Sequence, residues 1–101
     1  MRLSEDQAQQ MVRSRAADED NINITLHAYE RMEERGFIDI DIHRILQRGH
    51  IDDAPEPGEN EGEWMCKVTY KLKGQREAGV ITVIMLDGTL LVVTVEWEDI
   101  S

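Results

Sequence analysis

The sequence predicts an α+β fold in which N-terminal helices, including a two-helix hairpin, pack on a mostly antiparallel sheet of three to five strands. In the first half of the chain, apolar residues recur at helical spacing, and two helical stretches are each followed by glycine. In the second half, apolar and polar residues alternate or form apolar runs of strand length. The dipeptide Asp87-Gly88 separates two of these runs and is typical of a tight hairpin turn. A chain of 101 residues has the usual size of one domain, so we expect a single core.

A first helix is predicted over residues 4–17. Ser4 is its expected N-cap, and Gln7 three residues later completes a capping-box pattern. The segment has few apolar residues, so we expect it to dock loosely or to mediate association. We therefore divide the chain into an N-terminal helical extension, residues 1–20, and a single α+β domain, residues 21–101.

Two further helices are predicted to form the hairpin. Residues 26–35 make the first, with Thr25 as N-cap and Gly36 in the left-handed conformation that ends a helix. Tyr29 falls on its apolar side and is expected in the core. The next helix is shorter and is expected to end at Gly49 by the same left-handed device. Three of its residues have the spacing of a buried stripe: Ile42, Ile45 and Leu46.

The strands are predicted from alternation and apolar runs. Residues 22–26 and 50–54 indicate short strands, the latter at an edge of the sheet. Residues 63–72 alternate cleanly, which predicts one core face and one wet face. Residues 78–86 and 90–97 are nearly continuous apolar runs, which we interpret as central strands covered on both faces. The wet face of the alternating strand carries Met65, Lys67, Thr69, Lys71 and Lys73.

The net charge of −10 is concentrated in one segment. Residues 52–63 hold six acidic side chains and no basic one, within a loop rich in proline and glycine. Such a surface disfavours attraction to nucleic acid or membrane and permits a basic protein partner. The apolar runs are far shorter than a membrane span, and Cys66 is the single cysteine, so no internal disulfide can form. We therefore expect a soluble, cytoplasmic protein.

The most informative motif is a stripe of three basic residues on one helix. His27, Arg31 and Arg35 are spaced by four, which places them one turn apart on one helical face. Guanidinium groups bind phosphate in bidentate fashion, and histidine can act as a general acid or base near neutral pH. The alternative is structural: the arginines pair with neighbouring carboxylates, and His27 lies against an edge of the sheet.

The chain resembles the bacterial family of domains of unknown function numbered 4258 (DUF4258) over about residues 24–97. Three segments carry the resemblance: Leu26-His27-Ala28-x-x-Arg31-Met32-x-x-Arg35-Gly36-Phe37, then Ile42-x-x-Ile45-Leu46-x-x-Gly49, and finally Val93-Thr94-Val95-x-Trp97 after a Trp-led lysine strand. That family is similar in layout to RelE-like and MqsR-like toxins, the messenger-RNA endoribonucleases of type II toxin–antitoxin pairs. The resemblance therefore implies a RelE-like fold and a ribonuclease toxin that a partner antitoxin neutralises.

The same resemblance marks the candidate site residues. The family motif points to His27, Arg31 and Arg35 as catalytic candidates. RelE-like ribonucleases use side chains on the exposed face of the sheet, which implies that RNA contacts come from Lys67, Lys71, Lys73 and Arg76. Lysines on a wet face are also common as solubilising residues. This chain departs from a typical toxin in its acidity and its extra N-terminal helix.

A second function remains open, namely a non-catalytic interaction domain with the same fold. The acidic loop and the N-terminal helix would then bind a protein partner, or a second copy of the chain would bind through that helix or a sheet edge. No cofactor and no metal are expected, because His27, His43, His50 and Cys66 follow no compact ligand spacing.

Overall fold

The structure, a computed structural model, describes residues 2–99 apart from the side chain of Lys73. Three helices and five strands follow the predicted order along the chain. They are α1 (Glu5–Ala16), β1 (Ile22–Ile24), α2 (Leu26–Arg35), α3 (Asp39–Arg48), β2 (Glu56–Pro57), β3 (Trp64–Lys71), β4 (Glu77–Ile84) and β5 (Leu90–Trp97), with short 3-10 turns at Glu19–Asn21 and Lys73–Gln75. The α+β prediction is confirmed.

The five strands form one mixed sheet in the order β1-β5-β4-β3-β2. Only β1 pairs in parallel, with Leu90–Val92 of β5, and the other neighbours are antiparallel. The predicted hairpin joins β4 to β5, and Gly88 has φ +92° in its turn. The register of β5 shifts opposite Ile81 and Thr82, so Val93 has no partner in β4. This bulge puts both Val92 and Val95 in the core, three residues apart.

The helices cover one face of the sheet. Along β4, fully buried side chains alternate with half-buried ones, and Ala78, Val80 and Ile84 belong to the buried set. The predicted stripe of α3 is fully buried against this face: Ile42, Ile45 and Leu46. The expectation that β4 and β5 are covered on both faces is wrong. The three helices pack on the first face, and no helix of the described chain covers the second face.

The expectation of a loosely docked first helix is also wrong. Ser4 and Gln7 form the predicted capping box. Ala8, Val12 and Ala16 recur every four residues and are fully buried. Small side chains allow α1 to approach α3 closely, so a helix with little apolar content still contributes to the core.

Two arginines fasten α1 to the rest of the molecule. Arg13 donates hydrogen bonds to the carbonyl of Gly49 at 2.8 and 3.2 Å, at the C-terminal end of α3. Arg15 donates to the carbonyls of Met85 at 2.7 Å and Thr89 at 3.1 Å, beside the β4–β5 turn. Positive charge at a helix C-terminus is favourable, because the last carbonyls there lack helical partners.

Two local predictions need correction. Gly36 has φ +80°, as predicted, but Gly49 has φ −76° and extended backbone. A Cβ at Gly49 would lie 2.5 Å from the carbonyl oxygen of Ile45, so close packing is what requires glycine there. The predicted edge strand over 50–54 is reduced to one bridge between His50 and Thr69. The actual edge strand is β2, inside the segment predicted to be a loop.

Candidate functional site

Helix α2 lies along the edge of β5 that β1 leaves open. The amide of Thr25 donates to the carbonyl of Val92 at 3.1 Å, where the β1–β5 pairing ends. The hydroxyl of Thr25 accepts from the amide of Ala28 at 3.0 Å, as an N-cap, and donates to the carbonyl of Val93 at 3.3 Å. Thr25 therefore both starts the helix and attaches it to the strand.

Arg35 attaches the other end of α2. Its guanidinium donates to the carbonyl of Val95 at 2.6 Å, and its own carbonyl accepts from Nε1 of Trp97 at 2.9 Å. The two bonds join the last turn of the helix to the last residues of β5. The Arg35 side chain thus satisfies a backbone carbonyl at the strand edge, whereas the structural alternative drawn from the sequence had it pair with a carboxylate.

The remaining two residues of the stripe lie on the same side of α2. Arg31 forms an ion pair with Glu34, three residues later on the helix. His27 is exposed in the first turn. The structure therefore brings the stripe together as predicted, with one arginine facing a carboxylate and the other facing a backbone carbonyl.

Lys67, on the predicted wet face of β3, lies between two carboxylates. Its Nζ is 2.5 Å from Glu98 and 3.6 Å from Glu96. The hydrogen bond to Glu98 raises the pKa of the Lys67 ammonium. The Lys67 side chain passes over Gly79, where an added Cβ would lie 2.9 Å from Cε of Lys67. Lys71 is exposed at the end of β3, and the side chain of Lys73 lies outside the described part of the molecule.

Arg76 is held at the far end of the sheet. It donates two hydrogen bonds to Asp99, at 3.1 and 3.2 Å, and stacks over the ring of Trp97 at 4.1 Å from the ring centroid. The ion pair raises the pKa of Arg76 and lowers that of Asp99. Trp97 also stacks on Phe37 at 4.3 Å between centroids, so Arg76 belongs to the packing of this end of the sheet.

The predicted catalytic and RNA-binding residues are spread over both ends of the sheet. His27 follows Thr25, whose amide donates to the carbonyl of Val92 at the end of the β1–β5 pairing. Lys71 lies opposite Glu77 of β4, and the next residue of β4, Ala78, lies opposite Trp97 at the end of β5. Lys71 is therefore at the other end of the sheet from His27. Arg35, by contrast, lies at the same end of the sheet as Arg76, because both contact Trp97.

The sheet carries a second feature that the sequence did not single out, which we call the open sheet face. It is a shallow cavity of about 500 Å³ on the side without helices, and its apolar lining is Met65, Val83, Met85, Leu91 and Val93. The acidic loop borders it through Pro57, Gly58, Glu59 and Glu63. The sequence contained a signal for this face. In β4 and β5 the residues that point to either face of the sheet are apolar, and the predicted helices are too few to cover both faces.

Comparison with known proteins decides the family. The family model described as Domain of unknown function (DUF4258) matches residues 24–97. The chain belongs to the DUF4258 family. No similar curated protein and no similar solved structure was found. The DUF4258 match covers α2, α3 and strands β2 to β5 but only Ile24 of β1, and α1, which contributes side chains to the core, precedes it.

Several positions of the DUF4258 motif in this chain have packing roles. Gly36 supplies the left-handed turn that ends α2, and Phe37 follows it into the stack with Trp97. Arg35 joins the same region to Val95. These motif residues hold the turn between α2 and α3 against the end of β5.

Two observations on the described residues of this DUF4258 domain concern metal ligands and the thiol. Across residues 2–99, no three His, Cys, Asp or Glu side chains lie close enough together to hold a metal ion. Cys66 is buried, and burial raises the pKa of its thiol to about 12. Such a thiol is unreactive near neutral pH, because the thiolate is the nucleophile. No helix in the described residues is both long enough and apolar enough to cross a membrane.

Proposed function

We propose that this DUF4258 protein is a non-catalytic interaction domain that binds a basic protein partner through the open sheet face. The observation that carries the proposal is the apolar lining of that face on three adjacent strands. An apolar patch with a polar border is typical of a binding surface, because covering it removes apolar area from water.

The border of the face indicates the charge of the partner. Glu59 is exposed at its edge, and Glu63 lines the edge as a buried acceptor of a hydrogen bond from Asn60. The loop that contains them holds six acidic residues between positions 52 and 63. Lysine and arginine on a partner would complement this edge and speed up association. A second copy of the chain fits less well, because each copy carries a net charge of −10 and the same acidic border.

A RelE-like or MqsR-like ribonuclease toxin, silenced by an antitoxin, is the second candidate. It is favoured by the exposed imidazole of His27 beside Arg31 and by the layout that the family resemblance implies. RNA would have to displace Glu34 from Arg31 and Glu98 from Lys67 before these cations could bind phosphate. The charge balance therefore supports an interaction domain more than a ribonuclease.

Growth on induced expression tests the two functions against each other. The wild type is compared with a His27→Ala/Arg31→Ala variant whose folding is checked by circular dichroism. We expect equal growth. Arrest by the wild type that the folded variant relieves would overturn the interaction-domain proposal in favour of a toxin.

Binding of a model peptide tests the open sheet face itself. The probe is a short fluorescent peptide that alternates Leu and Lys, with a Leu-Glu peptide as its charge control. We expect Val83→Thr/Val93→Thr to weaken binding of the basic peptide by about tenfold or more, a loss of about 1.4 kcal/mol. Ile22→Thr is the matched control, since Ile22 is half-buried on β1 outside this face. Equal affinity of all three proteins would reject the face as the binding surface.

A further inference from the structure

Exposed apolar side chains are concentrated at α2 and the start of α3. In the described chain, the exposed large apolar residues are Leu26 (76%), Tyr29 (46%), Ile38 (56%), Ile40 (60%) and Leu86 (66%). Only Leu86 is far from this region, beside the β4–β5 turn. Tyr29 was expected in the core, and this expectation is wrong because the helix turns that side chain towards α3 and solvent. Four large apolar side chains in one region are more than the scattered exposure of an ordinary surface.

Three of these residues, Tyr29, Ile38 and Ile40, border a shallow groove of about 570 Å³, which we call the α2–α3 groove. Its lining includes Tyr29 and Met32 from α2 and Phe37, Ile38 and Ile40 from the chain that enters α3. Met32 and Phe37 are almost fully buried, so they form the floor, and the other three form exposed walls.

The groove is held in shape from several directions. Phe37 is stacked on Trp97, and the left-handed Gly36 sets the angle between the two helices. The amide of Ile38 donates to the carboxylate of Asp41 at 3.1 Å. A preformed groove requires little ordering when a ligand binds, which favours affinity.

The charged residues at the groove are acidic. Its titratable lining residues are Glu33 on α2, Asp39 on α3 and the phenol of Tyr29, and its lining includes no lysine, arginine or histidine. Outside this lining, Arg31 is paired with Glu34 and Arg35 with the carbonyl of Val95. The basic residues of α3, His43, Arg44 and Arg48, line a separate pocket that also includes Asp39 and Ile40.

We infer that the α2–α3 groove binds a basic amphipathic helix of a partner protein. Apolar anchors at spacing i, i+3 or i+4, and i+7 on such a helix fit between the apolar walls. Lysine or arginine beside the anchors faces Glu33 and Asp39. The inference concerns a surface on the helices and does not depend on binding at the open sheet face.

Other occupants fit the groove less well. Two copies of this chain would bring the same two carboxylates together, and each copy has a net charge of −10. Nucleic acid and anionic lipid would meet the same acidic rim. An acidic helix would satisfy the apolar walls and be repelled by Glu33 and Asp39.

Model peptides test the inference directly. The probe is a fluorescent amphipathic helical peptide of Leu and Lys, measured by anisotropy against the full chain. A peptide of the same composition in non-amphipathic order and an amphipathic Leu-Glu helix are the controls. We expect the ordered Leu-Lys helix to bind at least about tenfold more tightly than either control. Comparable affinity for the disordered or the acidic peptide would overturn the inference.

Variants then locate the binding. Ile38→Ser/Ile40→Ser should weaken the Leu-Lys helix by about tenfold or more, and Leu86→Ser is the control at an equally exposed apolar residue outside the groove. NMR amide shifts of the wild type on adding the peptide should be largest at Met32, Phe37 and Ile38. This wild-type measurement stands if the double variant fails to fold. Shifts concentrated at Leu91 and Val93 would instead place the helix on the open sheet face and reject the groove.

Discussion

Replacement of Arg35 by alanine separates a structural role of the basic stripe from a catalytic one. In the folded protein, Arg35 donates to the carbonyl of Val95 at 2.6 Å and so fastens the end of α2 to β5. His27 is exposed at the other end of the same helix. If only Arg35, at the C-terminal end of the helix, has a structural role, Arg35→Ala should lower the stability of the protein more than His27→Ala does.

The expected magnitude follows from the exposure of the bond. A hydrogen bond from a charged group contributes about 1.5–3 kcal/mol when it is buried. Arg35 is exposed, and water can reach the Val95 carbonyl after truncation, so we expect Arg35→Ala to lower the free energy of unfolding by about 1 kcal/mol. For His27→Ala we expect a change within about 0.5 kcal/mol, as for most surface substitutions.

Urea unfolding followed by circular dichroism measures the difference. Both variants should retain the slope of the wild type, so that a lower midpoint reports lower stability. Equal stability of Arg35→Ala and wild type would refute the fastening role. Destabilisation by His27→Ala as large as that by Arg35→Ala would show that the first turn of α2 is also structural. For a growth assay, His27→Ala is therefore the safer probe of chemistry.

Three further predictions concern glycines, the thiol and acid. Gly49→Ala should lower the free energy of unfolding by about 3 kcal/mol, because the added Cβ would clash with Ile45, Val68 and Thr69. Gly36→Ala has open space around the added Cβ but a φ of +80°, so it should lower the free energy of unfolding by about 1–2 kcal/mol. Urea unfolding of both variants measures which loss is larger. Native Cys66 should resist a thiol reagent at pH 8 and react fully after unfolding, because its pKa of about 12 keeps it protonated; fast native labelling would contradict its burial. Hydrogen bonds from Thr89 lower the pKa of Asp87, so the contribution of this carboxylate to stability is present above about pH 4 and lost as pH falls further. The stability difference between wild type and Asp87→Asn should therefore shrink in acid, and a difference that persists at pH 2 would argue against the linkage.

Local features of the fold were readable from sequence. Ser4 and Gln7 cap α1 as predicted, because their bonds span three residues of chain. Asp87-Gly88 marks the hairpin as predicted, because a tight turn also forms within a few residues of chain. Gly49 was placed correctly at the end of α3, but its cause was misjudged: a Cβ there would meet not only Ile45 but also Val68 and Thr69, which are distant in sequence.

The candidate surfaces were less accessible to sequence reasoning. The apolar runs of β4 and β5 predicted central strands, yet the same residues are compatible with one covered face or two. Only the placement of the helices decides that Val83 and Leu91 line an open face. Likewise, Tyr29 has the spacing of a core residue, and the turn at Gly36 is what leaves it on the wall of the α2–α3 groove.

By itself, the sequence determined the helices, the hairpin, the acidic loop and the family to which the chain belongs. The tertiary structure decided the partners of the basic residues, the burial of α1 and the face of the sheet left without cover. The physical reason is separation along the chain. Arg35 meets a carbonyl 60 residues away and Arg15 one 70 residues away, and no local pattern records such contacts.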